Sequence, residues 1–166
     1  MAAYGDDQGF TDYITAQGLT LPVTAPDVAV LRQLGSSYID AAYGYKLTCS
    51  RRTGGWEQEL EFPRTGHYVN GQLLPSDVIP QPWIYASYRA AYLNAITPGW
   101  STNAVDGSRL TKAEKVDVIS REFFAPGDAY SSDVAPGMTA DSIINGMVLP
   151  FLCSNTRGLN SLFRVV

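Results

Sequence analysis

Apolar residues recur at helical spacing in four stretches, and between these stretches the spacing breaks down or changes to two. Phe10, Tyr13, Ile14 and Gln17 share one helical face, and Gly18 suits a left-handed stop after them. Leu19 to Thr24 then reads as extended through Pro22. Pro26 and Asp27 open a second helix, because proline is tolerated in a first turn and an early acid complements the dipole. Its stripe, Leu31, Leu34, Tyr38, Ile39 and Ala42, runs as far as Gly44, with Arg32, Gln33, Ser36 and Asp40 outside it. A third helix follows Pro80 and Pro82, spans Trp83 to Ile96 with the stripe Ile84, Tyr88, Ala91, Tyr92 and Ala95, and stops at Pro98-Gly99. A fourth begins near Thr139, carries Ile143, Ile144, Met147 and Val148, and is bent or ended by Pro150.

Between the second and third helices the acids Glu57, Glu59 and Glu61 occupy every second position, with large apolar groups on the other parity. That is a half-buried strand pattern over Trp56 to Phe62, closed by Pro63. Asn70-Gly71, between Val69 and Leu73-Leu74, signals a small hairpin or ordered loop. Between the third and fourth helices, Lys115 to Phe124 suits an edge strand, bounded by turns at Asp106-Gly107 and Pro126-Gly127. The expected fold is therefore mainly α: a small bundle of about four helices, with one β-rich excursion between helices 2 and 3 and another between helices 3 and 4. Residues 1–153 form a single domain. Residues 154–166 are a C-terminal arm, polar at first and then apolar, which is either frayed or ordered on a partner.

Composition changes this picture little. The 166 residues are 45% hydrophobic and 17% charged, enough for one core. No apolar run approaches the ~20 residues of a membrane helix, and acids stand where a secretory leader would carry a basic region. The expectation is a chain made in a cytoplasm, without a membrane partner. Cys49 and Cys153 could form one bridge, but far apart in such a chain they read as reduced, inert thiols.

Twelve basic against sixteen acidic residues give a net charge of −4, which provides no bulk attraction to phosphate. His67 is the one histidine, so a metal site would have to be built from carboxylates, and no acidic cluster has calcium-loop spacing. Neither cysteine sits in a nucleophile signature, and His67 in a turn reads as solvated or locally bonded. The Glu57-Glu59-Glu61 series reads as a solvated stripe rather than an acid/base pair. Gly54-Gly55 and Gly66 match no phosphate-binding loop. No cofactor, metal or catalytic set is therefore expected.

Two features could meet a partner. Tyr85, Tyr88 and Tyr92 form an aromatic stripe with Arg89, which suits a core or subunit interface and, alternatively, base stacking. Arg51-Arg52 beside Gly54-Gly55 is a compact basic spot, either a solvated loop or a rim contact to an acidic partner.

Three segments carry a family resemblance. They are Arg52-Thr53-Gly54-Gly55-Trp56-Glu57-Gln58, then Leu60-Glu61-Phe62-Pro63-Arg64-Thr65-Gly66, then Leu74-Pro75-Ser76-Asp77-Val78-Ile79-Pro80 ahead of a helix. Together with the first two helices, over residues 8–153, they resemble the tailed-phage head-to-tail connector, or neck adaptor, proteins. Members of that family are often labelled "putative DnaT-like ssDNA-binding protein". Phe62 stands where tryptophan is common, Lys115 to Phe124 lacks an expected Gly-Pro, and 154–166 extends past the usual end.

The resemblance implies a non-enzymatic structural protein of the virion neck, made in the bacterial host and forming a ring of about twelve copies. Such a ring joins the portal protein to tail-proximal neck proteins of the stopper or terminator type, and genomic DNA passes through its lumen without sequence-specific contacts. The partner-binding residues expected on this basis are Arg51, Arg52, Trp56 and Arg64 in the excursion, with Arg157, Leu159, Leu162, Phe163, Arg164, Val165 and Val166 in the arm. The alternative is a single-stranded-DNA-binding helper using Tyr85, Tyr88, Tyr92, Arg51 and Arg52.

Overall fold

A computed structural model describes residues 2–102, the backbone of 113–116 and 119–122, residues 134–135 and residues 138–153. The elements run in order as α1 (Asp7–Ala16), α2 (Val28–Tyr43), β1 (Arg51–Arg52), β2 (Arg64–Thr65), β3 (Tyr68–Val69), β4 (Gln72–Leu73), α3 (Gln81–Ile96), β5 (Ala113–Val116), β6 (Ile119–Glu122) and α4 (Ser142–Val148). The fold is mainly α, with small antiparallel hairpins between α2 and α3, as the hydrophobic spacing predicts. A further hairpin, β5 with β6, lies between α3 and α4. The turns expected at Asp106-Gly107 and Pro126-Gly127 fall outside the described residues.

Local chemistry accounts for the helix ends. Asp6 caps α1 by accepting from the Gly9 N–H at 2.7 Å, and Gly18 takes the left-handed conformation (φ 64°) beyond its C-terminus. Asp141 caps α4 by accepting from the N–H groups of Ile143 and Ile144. The fourth helix therefore starts at Ser142, later than its apolar pattern indicates. Ile144 and Val148 are buried, whereas Ile143 stays exposed.

Helix α3 is the central element. Trp83, Ala86, Tyr88, Ala90, Ala91 and Ala95 are all buried, so the helix is covered around most of its girth, more than a single stripe predicts. One apolar cluster, with Phe10, Ile14, Leu31, Tyr88 and Ala91, ties it to α1 and α2. The other, with Tyr4, Ile39, Tyr43, Phe62, Trp83, Ile144 and Phe151, ties it to the excursion and α4. Small residues make the α2–α3 approach close. A Cβ on Gly35 would stand 2.1 Å from the Ser87 carbonyl oxygen and 2.8 Å from the Ala91 nitrogen.

Two expectations are corrected here. Trp56 to Phe62 is not a strand: Gly55–Glu57 is a 3₁₀ turn and residues 58–63 are irregular. The Gln58 side chain replaces a ladder, donating to the Leu60 and Pro63 carbonyls and accepting from the Gly54 N–H. Glu61 turns inward, so the three acids do not line one face. Nor are Cys49 and Cys153 separate thiols; they form a disulfide across 104 residues, with Cα atoms 5.7 Å apart. The 3₁₀ turn Leu149–Phe151 returns the chain from α4 to the end of α2, where the Cys153 N–H donates to the Lys46 carbonyl at 3.1 Å. That return is a tertiary event with no signature in the spacing of the cysteines.

Gly35→Ala is expected to lose about 1–3 kcal/mol through overpacking, despite alanine's better helix propensity. The check is urea unfolding, with a lower midpoint and an unchanged m-value.

Candidate functional site

The excursion from Leu47 to Pro80 carries the segments of the family resemblance, and an internal ionic node holds it in shape. β1 pairs with β2 in the register Arg51↔Thr65 and Arg52↔Arg64. Arg64 is buried, and all five of its N–H groups donate inside the chain. Nε reaches Ser50 Oγ at 2.7 Å, and Nη2 reaches the Leu47 and Ser50 carbonyls, both at 2.7 Å. Nη1 reaches the Glu61 carbonyl at 3.2 Å and Glu61 Oε2. The other Glu61 oxygen accepts from Arg52, whose Nη1 also donates to the Gln58 carbonyl at 3.1 Å. One carboxylate thus closes the loop from both sides.

A second node joins the N-terminal segment to this loop. Tyr4 is fully buried; its backbone N–H donates to Ser36 Oγ at 2.9 Å and its hydroxyl donates to Asp40 Oδ1 at 2.6 Å. The same hydroxyl accepts from the Phe62 N–H at 3.2 Å, and Asp40 Oδ2 accepts from the Glu61 N–H at 3.0 Å. Burial raises the Asp40 pKa to about 6, partly opposed by these hydrogen bonds, and burial likewise pushes the Tyr4 hydroxyl up.

His67 is sealed rather than solvated. Its Nδ1 lies 2.8 Å from Ser50 Oγ, its ring packs edge-on against Phe62, and burial followed by the charge of Arg64 lowers its pKa. Ser50 Oγ also accepts from Arg64, so one hydroxyl ties the histidine to the buried arginine. This pair therefore anchors the loop.

On this frame the loop tips present apolar groups. Trp56 is 87% exposed at the first tip. In the β3–β4 hairpin, Asn70 and Gly71 both take positive φ (51° and 79°), the type I′ geometry that the Asn-Gly pair predicts, and Tyr68 and Leu73 are exposed on its strands. Thr53 Oγ1 donates to the Ser76 carbonyl at 2.6 Å, linking the two hairpins' flanks.

The sequence-predicted contacts thus divide. Arg51 and Trp56 are exposed, Arg52 is half-buried against Glu61, and Arg64, grouped with them on sequence grounds, is spent inside the fold. Arg157, Leu159, Leu162, Phe163, Arg164, Val165 and Val166 lie outside the described residues. Of the aromatic stripe, Tyr88 is buried with its hydroxyl bonded to the Asp6 backbone, Tyr92 is half-buried beneath Arg89, and Tyr85 is 40% exposed. Arg89 itself pairs with Asp141, and Arg32 with Asp7. Among the described residues all four arginines other than Arg51 are held in these ion pairs with Asp7, Glu61 or Asp141, and the same residues include no group of three or more side chains able to hold a metal.

Sequence reasoning missed a groove between α1 and the start of α3, about 450 Å³ in volume. Tyr13, Ile84, Tyr85, Tyr88 and Met147 line it, with Asp6 and Asp12 at its rim. The aromatic stripe of the third helix signals a core, a subunit interface or base stacking, and the groove exists only once Tyr13 of α1 packs beside it.

These features define a helical-bundle protein whose excursion has exposed apolar tips and an internally paired Arg52 and Arg64. Over residues 2–165 the chain matches a family described as "putative DnaT-like ssDNA binding protein", and it belongs to that family. No curated protein and no solved structure matches it.

Two outcomes follow from the nodes. Glu61→Gln leaves two arginines without their counter-charge and is expected to cost about 3–5 kcal/mol, measured by urea unfolding. Arg51→Ala in the same assay is expected to change stability by less than about 0.5 kcal/mol. Asp40, with its pKa raised on folding, binds more protons in the folded chain between pH 4 and 6. Its contribution is therefore fully present below pH 4 and is lost as pH rises through about 6. Asp40→Asn is expected to remove that part of the slope in a pH series of unfolding midpoints.

Proposed function

We propose that this chain is a non-enzymatic structural protein of a phage neck: a ring-forming adaptor joining the portal to tail-proximal neck proteins, with DNA passing through its lumen. The observation that carries this reading is the excursion. Its polar groups are bonded inward through Arg64, Arg52, Gln58 and Ser50, while Trp56, Tyr68 and Leu73 stand out at its tips. A loop with a satisfied interior and exposed aromatic tips is suited to protein contacts, where aromatic anchors contribute most of the binding energy. The resemblance of the Arg52–Gln58, Leu60–Gly66 and Leu74–Pro80 segments to neck adaptors supports the same reading. In it the excursion bridges neighbouring copies and residues 154–166 reach the portal. An acidic chain, at −4, suits a lumen through which DNA slides.

The family description favours a second reading, single-stranded-DNA binding. The exposed face of Tyr85 and the side chain of Arg51 are the groups that would serve it.

Light scattering of the purified chain, alone and mixed with its cognate portal protein, tests the adaptor reading. Co-elution with portal rings at a stoichiometry matching the portal subunits is expected. Failure to associate at micromolar concentrations of both would overturn it. In the same assay Trp56→Ala with Leu73→Ala is expected to weaken association at least tenfold while leaving the unfolding midpoint within a few degrees.

A further inference from the structure

The α1–α3 groove, about 450 Å³ in volume, is a concavity whose chemistry the excursion does not use. Its floor is aromatic and apolar: the Tyr13 ring lies 5.4 Å from that of Tyr85 and 5.9 Å from that of Tyr88, with Ile84 and Met147 beside them. Its rim is acidic. Asp12 is exposed and, among the described residues, accepts only from the neutral Gln8 amide, and Asp6 caps α1. The cations beside it are already engaged: Arg89 pairs with Asp141, and Arg32 pairs with Asp7 and donates to the Gly5 carbonyl. A groove of this kind fits a segment that brings apolar side chains and positive charge together.

The chain carries such a segment. Beyond Asp141 there is no acidic side chain, and the only charged ones are Arg157 and Arg164, interleaved with Leu159, Leu162, Phe163, Val165 and Val166. We infer that the groove receives the chain's own C-terminal segment, residues 154–166, through apolar contact with the tyrosine floor and pairing of its arginines with Asp12. Reach allows it. Met147 lines the groove and is seven residues before Ser154, so the segment starts within about 25 Å of it, and thirteen residues extend to about 43 Å. Attachment to the same chain also supplies a local concentration of order millimolar, which a second copy must exceed. Phe163 and its aliphatic neighbours would cover the exposed face of Tyr85, and a guanidinium beside an aromatic ring gains a cation–π contribution there. The inference stands apart from the adaptor reading: it concerns the free chain, whatever partner the segment meets later.

The test uses the full-length chain with Tyr85→p-benzoylphenylalanine, irradiated at low micromolar concentration, separated by mass and mapped by peptide analysis. Crosslinks into 154–166 within the single-chain mass are expected. Crosslinks that map elsewhere overturn the inference, as do crosslinks into 154–166 found only at the mass of two chains, which would make a second copy the occupant. Asp12→Lys, on an exposed helical position, is expected to cut the intramolecular yield about two- to fivefold, the range of a surface ion pair. Adding Arg157→Glu and Arg164→Glu to Asp12→Lys is expected to restore it. A yield unmoved by Asp12→Lys, with circular dichroism unchanged, overturns the pairing.

Discussion

The Glu61 carboxylate is the group on which the excursion depends. It accepts from Arg64 on one oxygen and from Arg52 on the other, and Arg64 spends its remaining donors on Leu47, Ser50 and the Glu61 carbonyl. An arginine buried to this extent is tolerable only when every N–H is satisfied and a counter-charge is fixed beside it. Lysine could not replace it, having three donors and no planar fork. Because that guanidinium must sit where it does, the chain from Leu47 to Thr65 has little freedom, and Trp56 is presented at a fixed place on an otherwise irregular loop.

The node is coupled to the helices through Tyr4 and Phe62. Tyr4 links α2, by way of Ser36 and Asp40, to the backbone at Phe62, and Phe62 packs edge-on against Trp83 of α3 at 4.8 Å. The N-terminal segment therefore belongs to the core. Tyr88 repeats the device at α1, exchanging hydrogen bonds with the Asp6 backbone from the middle of α3. Buried tyrosines whose hydroxyls reach backbone groups explain how a chain with modest charge and short helices fixes irregular segments: each supplies apolar area and one directed polar contact.

The helices were legible because their signals are local. Apolar positions three and four apart, Pro80 and Pro82 before α3, and Gly18 after α1 each act within one or two turns. The Asn70-Gly71 hairpin was legible for the same reason. What could not be read depends on distant partners. The alternation of Glu57, Glu59 and Glu61 suits a strand, but Arg52, Arg64 and Asp40 recruit Glu61 and its backbone inward, and Gln58 satisfies the loop in place of a ladder. Cys49 and Cys153 meet only because the turn after α4 returns to Lys46. Arg64 resembles a surface arginine in any window of sequence, and its burial follows from Glu61 and the carbonyls of Leu47 and Ser50. The α1–α3 groove likewise needs two helices and Met147 of α4 to exist.

Family membership and electrostatics point in different directions. The family description concerns single-stranded DNA, whereas Arg32, Arg52, Arg64 and Arg89 are occupied by acids of the same chain and Tyr88 is locked in the core. A protein that grips phosphates keeps its cations available, and binding then falls steeply with salt. Arg32, Arg52, Arg64 and Arg89 act as internal fasteners, and in the proposed adaptor the exposed aromatic tips are the binding groups. Fluorescence anisotropy of a labelled single-stranded oligonucleotide, titrated with the full-length chain from about 20 to 200 mM salt, tests this most directly. No saturable binding at micromolar protein even at the lowest salt is the predicted result. Tight binding with a steep salt dependence would contradict it and make the chain a DNA binder whose cations lie elsewhere.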